Sequence, residues 1–196
     1  MGITCKRYSR IGKGNIVHFR PSPNLPDIIR IEPNIFKDGR GFFLEMYHKE
    51  KFTNSGINGD FVQDNRSRSH QGILRGLHYQ LGKPQGKLVW ALTGKVFDVA
   101  VDIRKNSPTF GKWFGITLSG DNKIGLYIPP DFAHGFCVIS NQADIYYKCT
   151  DFYSPEHERC IRWNDPDLAI DWPIKDPILS EKDAKCPFLK DADLPF

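Results

Sequence analysis

Apolar and polar residues alternate over short stretches along most of this chain, at about 42–47, 61–64, 73–80, 87–93, 95–103, 113–118, 124–128, 134–140 and 143–150. A period of two puts successive side chains on opposite faces and predicts half-buried β-strands. Turn formers separate the stretches: Gly56, Gly59, Gly82 with Pro84, Gly94, Ser107-Pro108, Gly120-Asp121-Asn122 and Pro129-Pro130. Helical patterning is confined to residues 46–55, with a second short helix predicted near 180–185. Many short strands with little helix predict an all-β antiparallel sandwich or barrel. From Asp165 onward the pattern changes to Asp165-Pro166, Trp172-Pro173, Asp176-Pro177 and Cys186-Pro187. Proline cannot donate to a central ladder, so this segment reads as an extended tail packed over the barrel.

Parity assigns faces. In KVFDVAVDI, Phe97, Val99, Val101 and Ile103 form the apolar face, with Asp98 and Asp102 opposite. In ADIYYKCT, Ile145 and Cys149 carry Tyr147 inward and leave Tyr146 outside. His134 shares parity with Phe136 and Val138 and also faces the interior. On the segment ILRGLHYQ, His78 shares parity with Leu74 and Gln80, while Arg75 falls on the other face. Arg75 and His78 can line one cavity only if Gly76 forms a bulge. The run from Gln63 to Arg104 interleaves histidine, cations and amides with these apolar positions. Solvated sheet faces do not need such groups, so the run reads as the wall of a ligand cavity and an enzyme is the leading reading. An inward histidine alone is often only a hydrogen-bonded core residue, but two of them with Tyr147 favour a site. On pattern alone, Lys87 after Gly86 is a surface lysine at a strand start, and Phe42, Phe43, Tyr127 and Trp163 are core aromatics.

At 196 residues, 40% apolar and 13% aromatic, the chain has the size and composition of one domain, read as 26–196. Residues 1–25, with Lys6, Arg7, Arg10, Lys13 and Arg20, read as a flexible basic extension lacking an apolar stretch of signal-peptide length. No later segment has membrane-span character, so a cytoplasmic protein without membrane contact is expected. The five cysteines have no C-x-x-C spacing and an odd count, which suggests neither a zinc knuckle nor a disulfide; all are expected to be reduced. Asn65-Arg66-Ser67 matches a glycosylation sequon without a secretory context. A formal charge of +4 scattered among acids argues against nucleic acid and is compatible with a small anionic ligand.

Small antiparallel barrels often hold a metal through an H-x-H pair, a nearby carboxylate and a later histidine. Here the second histidine position is Gln80, and no Glu follows before Gly86. His78 and His134 alone fall short of the three protein ligands a catalytic metal usually needs. No metal is expected, and acid/base chemistry by side chains is the better account.

An ordered set of motifs carries the reading further: DGRGFFLE (38–45), QDN (63–65), ILRGLHYQ (73–80), QGKLV (85–89), FDVAVDIRKNSPTFG (97–111), FAHGF (132–136), YKCT (147–150), WNDPDLAIDWP (163–173) and LSEKD (179–183). In kind and order these resemble the dTDP-4-dehydrorhamnose 3,5-epimerase family. The resemblance implies a cupin-like double-stranded β-helix, or jelly-roll barrel, with a few short helices. It implies a homodimer that epimerises C3 and C5 of a nucleotide-diphosphate-linked 4-keto-6-deoxyhexose without metal, flavin or nicotinamide. Protons alpha to the 4-keto group are acidified, so a base can leave an enolate that an acid reprotonates from the other face. By resemblance the base is His78 oriented by Asp183, Lys87 stabilises the enolate oxygen, Tyr147 is the acid, and His134 lines the sugar pocket. Arg40, Phe42, Glu45, Gln63, Asn65 and Arg75 are implied for the nucleotide and its diphosphate, some of them supplied by the partner chain.

The chain departs from the family pattern at Ile124 and Gly125, where an Arg-Gln pair is common, at Trp90 for an arginine, and at Asp131 for a glycine. Asp131 is tolerable in a left-handed conformation. Two rivals remain: an epimerase acting at C3 only or on another nucleotide sugar, and a barrel that binds a nucleotide sugar without turnover. A pure binder has no need of an opposed acid and base.

Overall fold

The structure, a computed structural model, describes residues 17–195; most of the basic N-terminal segment lies outside the described residues. Thirteen strands and two short helices follow one another as β1 (His18–Pro21), β2 (Ile29–Glu32), β3 (Ile35–Asp38), β4 (Gly41–Leu44), α1 (Lys49–Asn54), β5 (Gln63–His70), β6 (Leu74–Gln80), β7 (Lys87–Thr93), β8 (Lys95–Asp102), β9 (Trp113–Ser119), β10 (Gly125–Ile128), β11 (Phe132–Val138), β12 (Gln142–Cys149), β13 (Glu158–Cys160) and α2 (Glu181–Ala184). A six-stranded sheet in the order β1-β2-β10-β7-β12-β5 faces a five-stranded sheet in the order β13-β6-β11-β8-β9, and β3 pairs only with β4. Every strand pairing is antiparallel. This is the expected jelly-roll architecture.

Three apolar layers explain how so short a chain covers both faces of both sheets. Between the sheets lie Val89, Ala100, Leu118, Leu126, Ile128, Phe136, Val138 and Ile145. Outside the five-stranded sheet, Leu74, Leu77, Tyr79, Val99 and Val101 pack under Leu168, Trp172, Leu189 and Leu194 of the proline-rich tail. Outside the six-stranded sheet, Ile29, Ile31, Leu88 and Trp90 pack against Phe52 of α1 and Ile57. Each fully buried aliphatic side chain contributes about 1.5–3 kcal/mol, so the tail is a structural layer.

Four expectations are corrected. The apolar face of β8 turns away from the barrel interior and under the tail, whereas Asp98, on the other face, meets His134 inside. The extension expected through residue 25 ends earlier: His18–Pro21 pair with β2, and Leu25 is buried. Strand β5 runs to His70, well past the expected stretch, because its outward arginines hide the alternation. Cys160 and Cys186, expected as thiols, form a disulfide with Cα atoms 5.6 Å apart, while Cys137 and Cys149 are free and buried. Spacing rules read local motifs and had no access to a pair 26 residues apart that the tail brings together.

Candidate active site

The site is built on an irregularity in β6. His134 and Phe136 of β11 pair with His78 and Arg75, so one residue of β11, Gly135, lies opposite two of β6, Gly76 and Leu77. The extra residue reverses parity: Leu74 lies under the tail on one side of the bulge, as do Leu77 and Tyr79 on the other. Gly76 has φ +112°, and a Cβ there would lie 2.6 Å from Gly135 Cα and His134 O. Only glycine fits such a bulge against a neighbouring backbone. Arg75 and His78 thereby reach the same side of the sheet, as lining one cavity requires.

His78 Nε2 and Asp183 Oδ1 are 2.5 Å apart. Asp183 is buried in α2, where Ser180 caps the helix by accepting from the Asp183 N–H at 3.1 Å. Burial alone would raise its pKa, but the hydrogen bond and charge of His78 outweigh it and hold Asp183 below its ordinary range. The tail is stitched to the start of β6 by Leu74 N to Ile178 O at 3.1 Å and Ile178 N to Gly72 O at 2.8 Å. Those bonds deliver Asp183 to His78 across 105 residues of sequence.

Lys87 and Tyr147 come from the opposite sheet. Lys87 is buried, contrary to its surface reading, and its Nζ donates to His78 O at 3.4 Å. Burial pushes its ammonium down from the ordinary lysine value, against the nearby Cys149, Asp98 and Glu158. Tyr147 pairs with Asn65 on one side and Val89 on the other and packs against the inter-sheet core, as parity requires. Burial raises its phenol above the ordinary tyrosine value, so it stays protonated near neutral pH.

Around this group, His134 Nε2 lies 3.0 Å from both Asp98 carboxylate oxygens. Arg75 Nε donates to Ser69 Oγ at 3.0 Å. Gln63 and Asn65 face inward together, with Gln63 Nε2 donating to Asn65 Oδ1 at 2.9 Å and Asn65 Nδ2 to Cys149 Sγ at 3.6 Å. Asp98, Ser69 and Glu158 were not anticipated; the signal available for Asp98 was a carboxylate between Val96 and Ala100 on the second face of a largely apolar strand. Gln80 is committed to the loops, donating to Lys83 O at 2.8 Å and accepting from Ser154 N at 2.9 Å. No group of three metal-ligating side chains occurs among the described residues.

Arg40, Phe42 and Glu45 do not join this group within one chain. Arg40 is bound to Asp38, Phe42 lies against Lys123 at 4.4 Å, and Glu45 pairs with Lys51 at 2.7 Å. Phe42 and Phe43, expected in the core, are 59% and 69% exposed on the β3–β4 hairpin. Asp131 has φ +64°, the left-handed conformation its position demands.

The sequence pattern of the dTDP-4-dehydrorhamnose 3,5-epimerase family matches residues 22–191. The chain belongs to that family. It is 57% identical to the dTDP-4-dehydrorhamnose 3,5-epimerase of Pseudomonas aeruginosa over 171 residues, 86% of this chain and 94% of the relative. The crystal structure of dTDP-6-deoxy-D-glucose-3,5-epimerase from Legionella pneumophila in complex with dTDP-4-keto-L-rhamnose superposes with a TM-score of 0.89 at 51% identity, covering 92% of this chain and 98% of that one. A 3'-monoepimerase from Streptomyces bikiniensis in complex with dTDP-quinovose gives a TM-score of 0.81 at 32% identity, covering 87% of each chain. Membership of the dTDP-4-dehydrorhamnose 3,5-epimerase family makes this chain an epimerase of the cupin-like β class. No helix among the described residues is long and apolar enough to cross a membrane.

Proposed function

We propose that the chain epimerises C3 and C5 of dTDP-4-dehydro-6-deoxy-D-glucose to give dTDP-4-dehydro-L-rhamnose. The observation that carries the reading is the placement of His78, bonded to Asp183 of α2, on one sheet and of Tyr147 and Lys87 on the facing sheet. Inversion at a carbon needs a proton removed from one side and returned from the other, and two facing walls supply that separation. Asp183 engages Nε2 of His78 and leaves Nδ1 to take the proton from C3 or C5; the carboxylate then steadies the imidazolium. Lys87, buried with its Nζ directed at His78 O, donates to the enolate oxygen at C4. Tyr147, kept protonated by burial, delivers the proton on the opposite side. Arg75 suits the diphosphate through its planar fork, with Gln63, Asn65 and His134 lining the cavity. Arg40, Phe42 and Glu45 act across a homodimer, each hairpin reaching the partner's site, which accounts for exposed aromatics that bury nothing in one chain.

Reaction at both carbons is favoured over C3 alone because identity to 3,5-epimerases reaches 57% against 32% to the 3'-monoepimerase. Incubation with dTDP-4-keto-6-deoxyglucose in deuterated water, read by NMR, decides between them. Two exchanged carbons are expected; one would reassign the chain to C3 epimerisation, and none would leave a binder. His78→Asn should abolish exchange, a loss of roughly a hundredfold to ten-thousandfold, with nucleotide binding retained.

A further inference from the structure

The contact between His78 and Asp183 joins two elements with unequal support. β6 lies between β11 and β13 in its sheet, whereas α2 comprises four residues, Glu181–Ala184. A single helical turn does not hold itself in place. Whatever fixes Asp183 must therefore come from the attachments of α2 to its surroundings: ahead of the turn, the Ile178 bonds to Gly72 and Leu74, and around the turn itself a set that centres on β13 and the residues just after it. In that strand Cys160 is paired with His78 and Glu158 with Gln80. Immediately before Asp183, Lys182 forms an ion pair with Glu158; three residues after it, Cys186 is bonded to Cys160. Arg162 adds two bonds from the same segment, its Nε donating to Cys186 O at 3.0 Å and its N–H to Pro187 O at 2.8 Å. One short strand thus hydrogen-bonds the strand bearing the base and grips the turn bearing its partner on both sides.

We propose that the Cys160–Cys186 disulfide is a positioning device for catalysis, holding Asp183 in register with His78 by tying α2 to the strand beside the base. The proposal rests on the assignment of His78 and Asp183 as the base pair. Of the tethers named, the Lys182–Glu158 pair has a half-exposed lysine, and such pairs are weak. The covalent link is the one that solvent does not loosen. Cys186 is buried and Cys160 partly exposed, so a small dithiol can attack the sulfur of Cys160. The S–S bond then breaks, both cysteines become thiols, and the dithiol is oxidised to its cyclic disulfide.

The test uses the full-length enzyme in three forms: untreated, reduced with dithiothreitol and alkylated, and as the double variant Cys160→Ser/Cys186→Ser. Three quantities are read: kcat and KM for the nucleotide sugar, and the low-field proton resonance of the His78 N–H bonded to Asp183. Without the disulfide, kcat should fall about ten- to hundredfold with KM within about twofold, since small displacements of a catalytic group carry penalties of that order. The low-field resonance should broaden or vanish, and reoxidation of unalkylated reduced enzyme should restore both. A lowered unfolding midpoint with kcat and resonance intact would overturn the proposal, since the bond would then serve only the fold. Wholesale unfolding on reduction would overturn it equally. Asp183→Asn, with the disulfide in place, tests the underlying assignment separately: unchanged kcat there removes the base pair, while the resonance of the enzyme that keeps Asp183, compared with and without the disulfide, still reports whether the tether holds that residue.

Discussion

Tyr146 and Tyr147 are the same side chain one residue apart, and the alternation of β12 gives them different worlds. Tyr147 faces the inter-sheet core near Cys149 and Arg75, with its phenol pushed upward by burial. Tyr146 packs on the outer layer and donates to Asp64 Oδ2 at 3.1 Å. Tyr147→Phe should therefore yield little inverted product while slow exchange at carbon persists, because His78 still removes and returns the proton. Tyr146→Phe should leave turnover within about twofold, since deletion of a partly solvated hydroxyl changes little else. NMR of product and deuterium content separates the two; an inactive Tyr146→Phe would invert the facing and the acid assignment. Tyr147 was legible because Ile145 and Cys149 flank it. The inward role of Asp98 was not, because parity states that two faces differ without stating which one a further layer will cover.

Among the elements, β7 and β10 explain two departures from the family pattern as one. Trp90 and Gly125 are direct cross-strand partners, and a Cβ on Gly125 would lie 2.5 Å from Trp90 Cζ2. The indole occupies the space a side chain at 125 would need, so the bulky residue and the glycine belong together. Gly125→Ala should destabilise the protein by about 1–3 kcal/mol through overpacking, and Trp90→Ala by about 3–5 kcal/mol. In Trp90→Ala the added Gly125→Ala should cost nothing or restore stability. Denaturant unfolding of the four proteins measures that coupling, and additive losses would show that the two positions do not interact. Strand β5 is the converse lesson. Gln63, Asn65 and Ser69 face the site and Arg66 and Arg68 bind the buried Asp144 outside, so neither face offers apolar periodicity. Its strand character comes from pairing with β12 along its whole length.

At the scale of the whole molecule, the β3–β4 hairpin leaves all three of its aromatics exposed. Phe36, Phe42 and Phe43 are 44%, 59% and 69% exposed. In the proposed homodimer these residues and Arg40 complete the partner's nucleotide site. Phe42→Ser/Phe43→Ser should lower the mass seen by light scattering toward that of one chain and raise KM more than it lowers kcat, because the proton-transfer groups lie on other strands. A variant that stays dimeric with unchanged KM would free the hairpin of both roles.

The central strands and their order, the two short helices and the need for a bulge at Gly76 were legible in the sequence, whereas β1, β2, β3 and β13 were not. Alternation, turn chemistry and motif order are local properties, and a three-residue spacing that must serve one cavity admits few solutions. Tertiary structure alone decided what depends on layers. The tail covers the outer face of the five-stranded sheet, which turns Val99 and Val101 away from the barrel and leaves Asp98 inside with His134. The same tail brings Cys186 to Cys160 and Asp183 to His78. A chain's own pattern specifies which surfaces must be covered; which distant segment covers them is settled only when all of the layers pack at once.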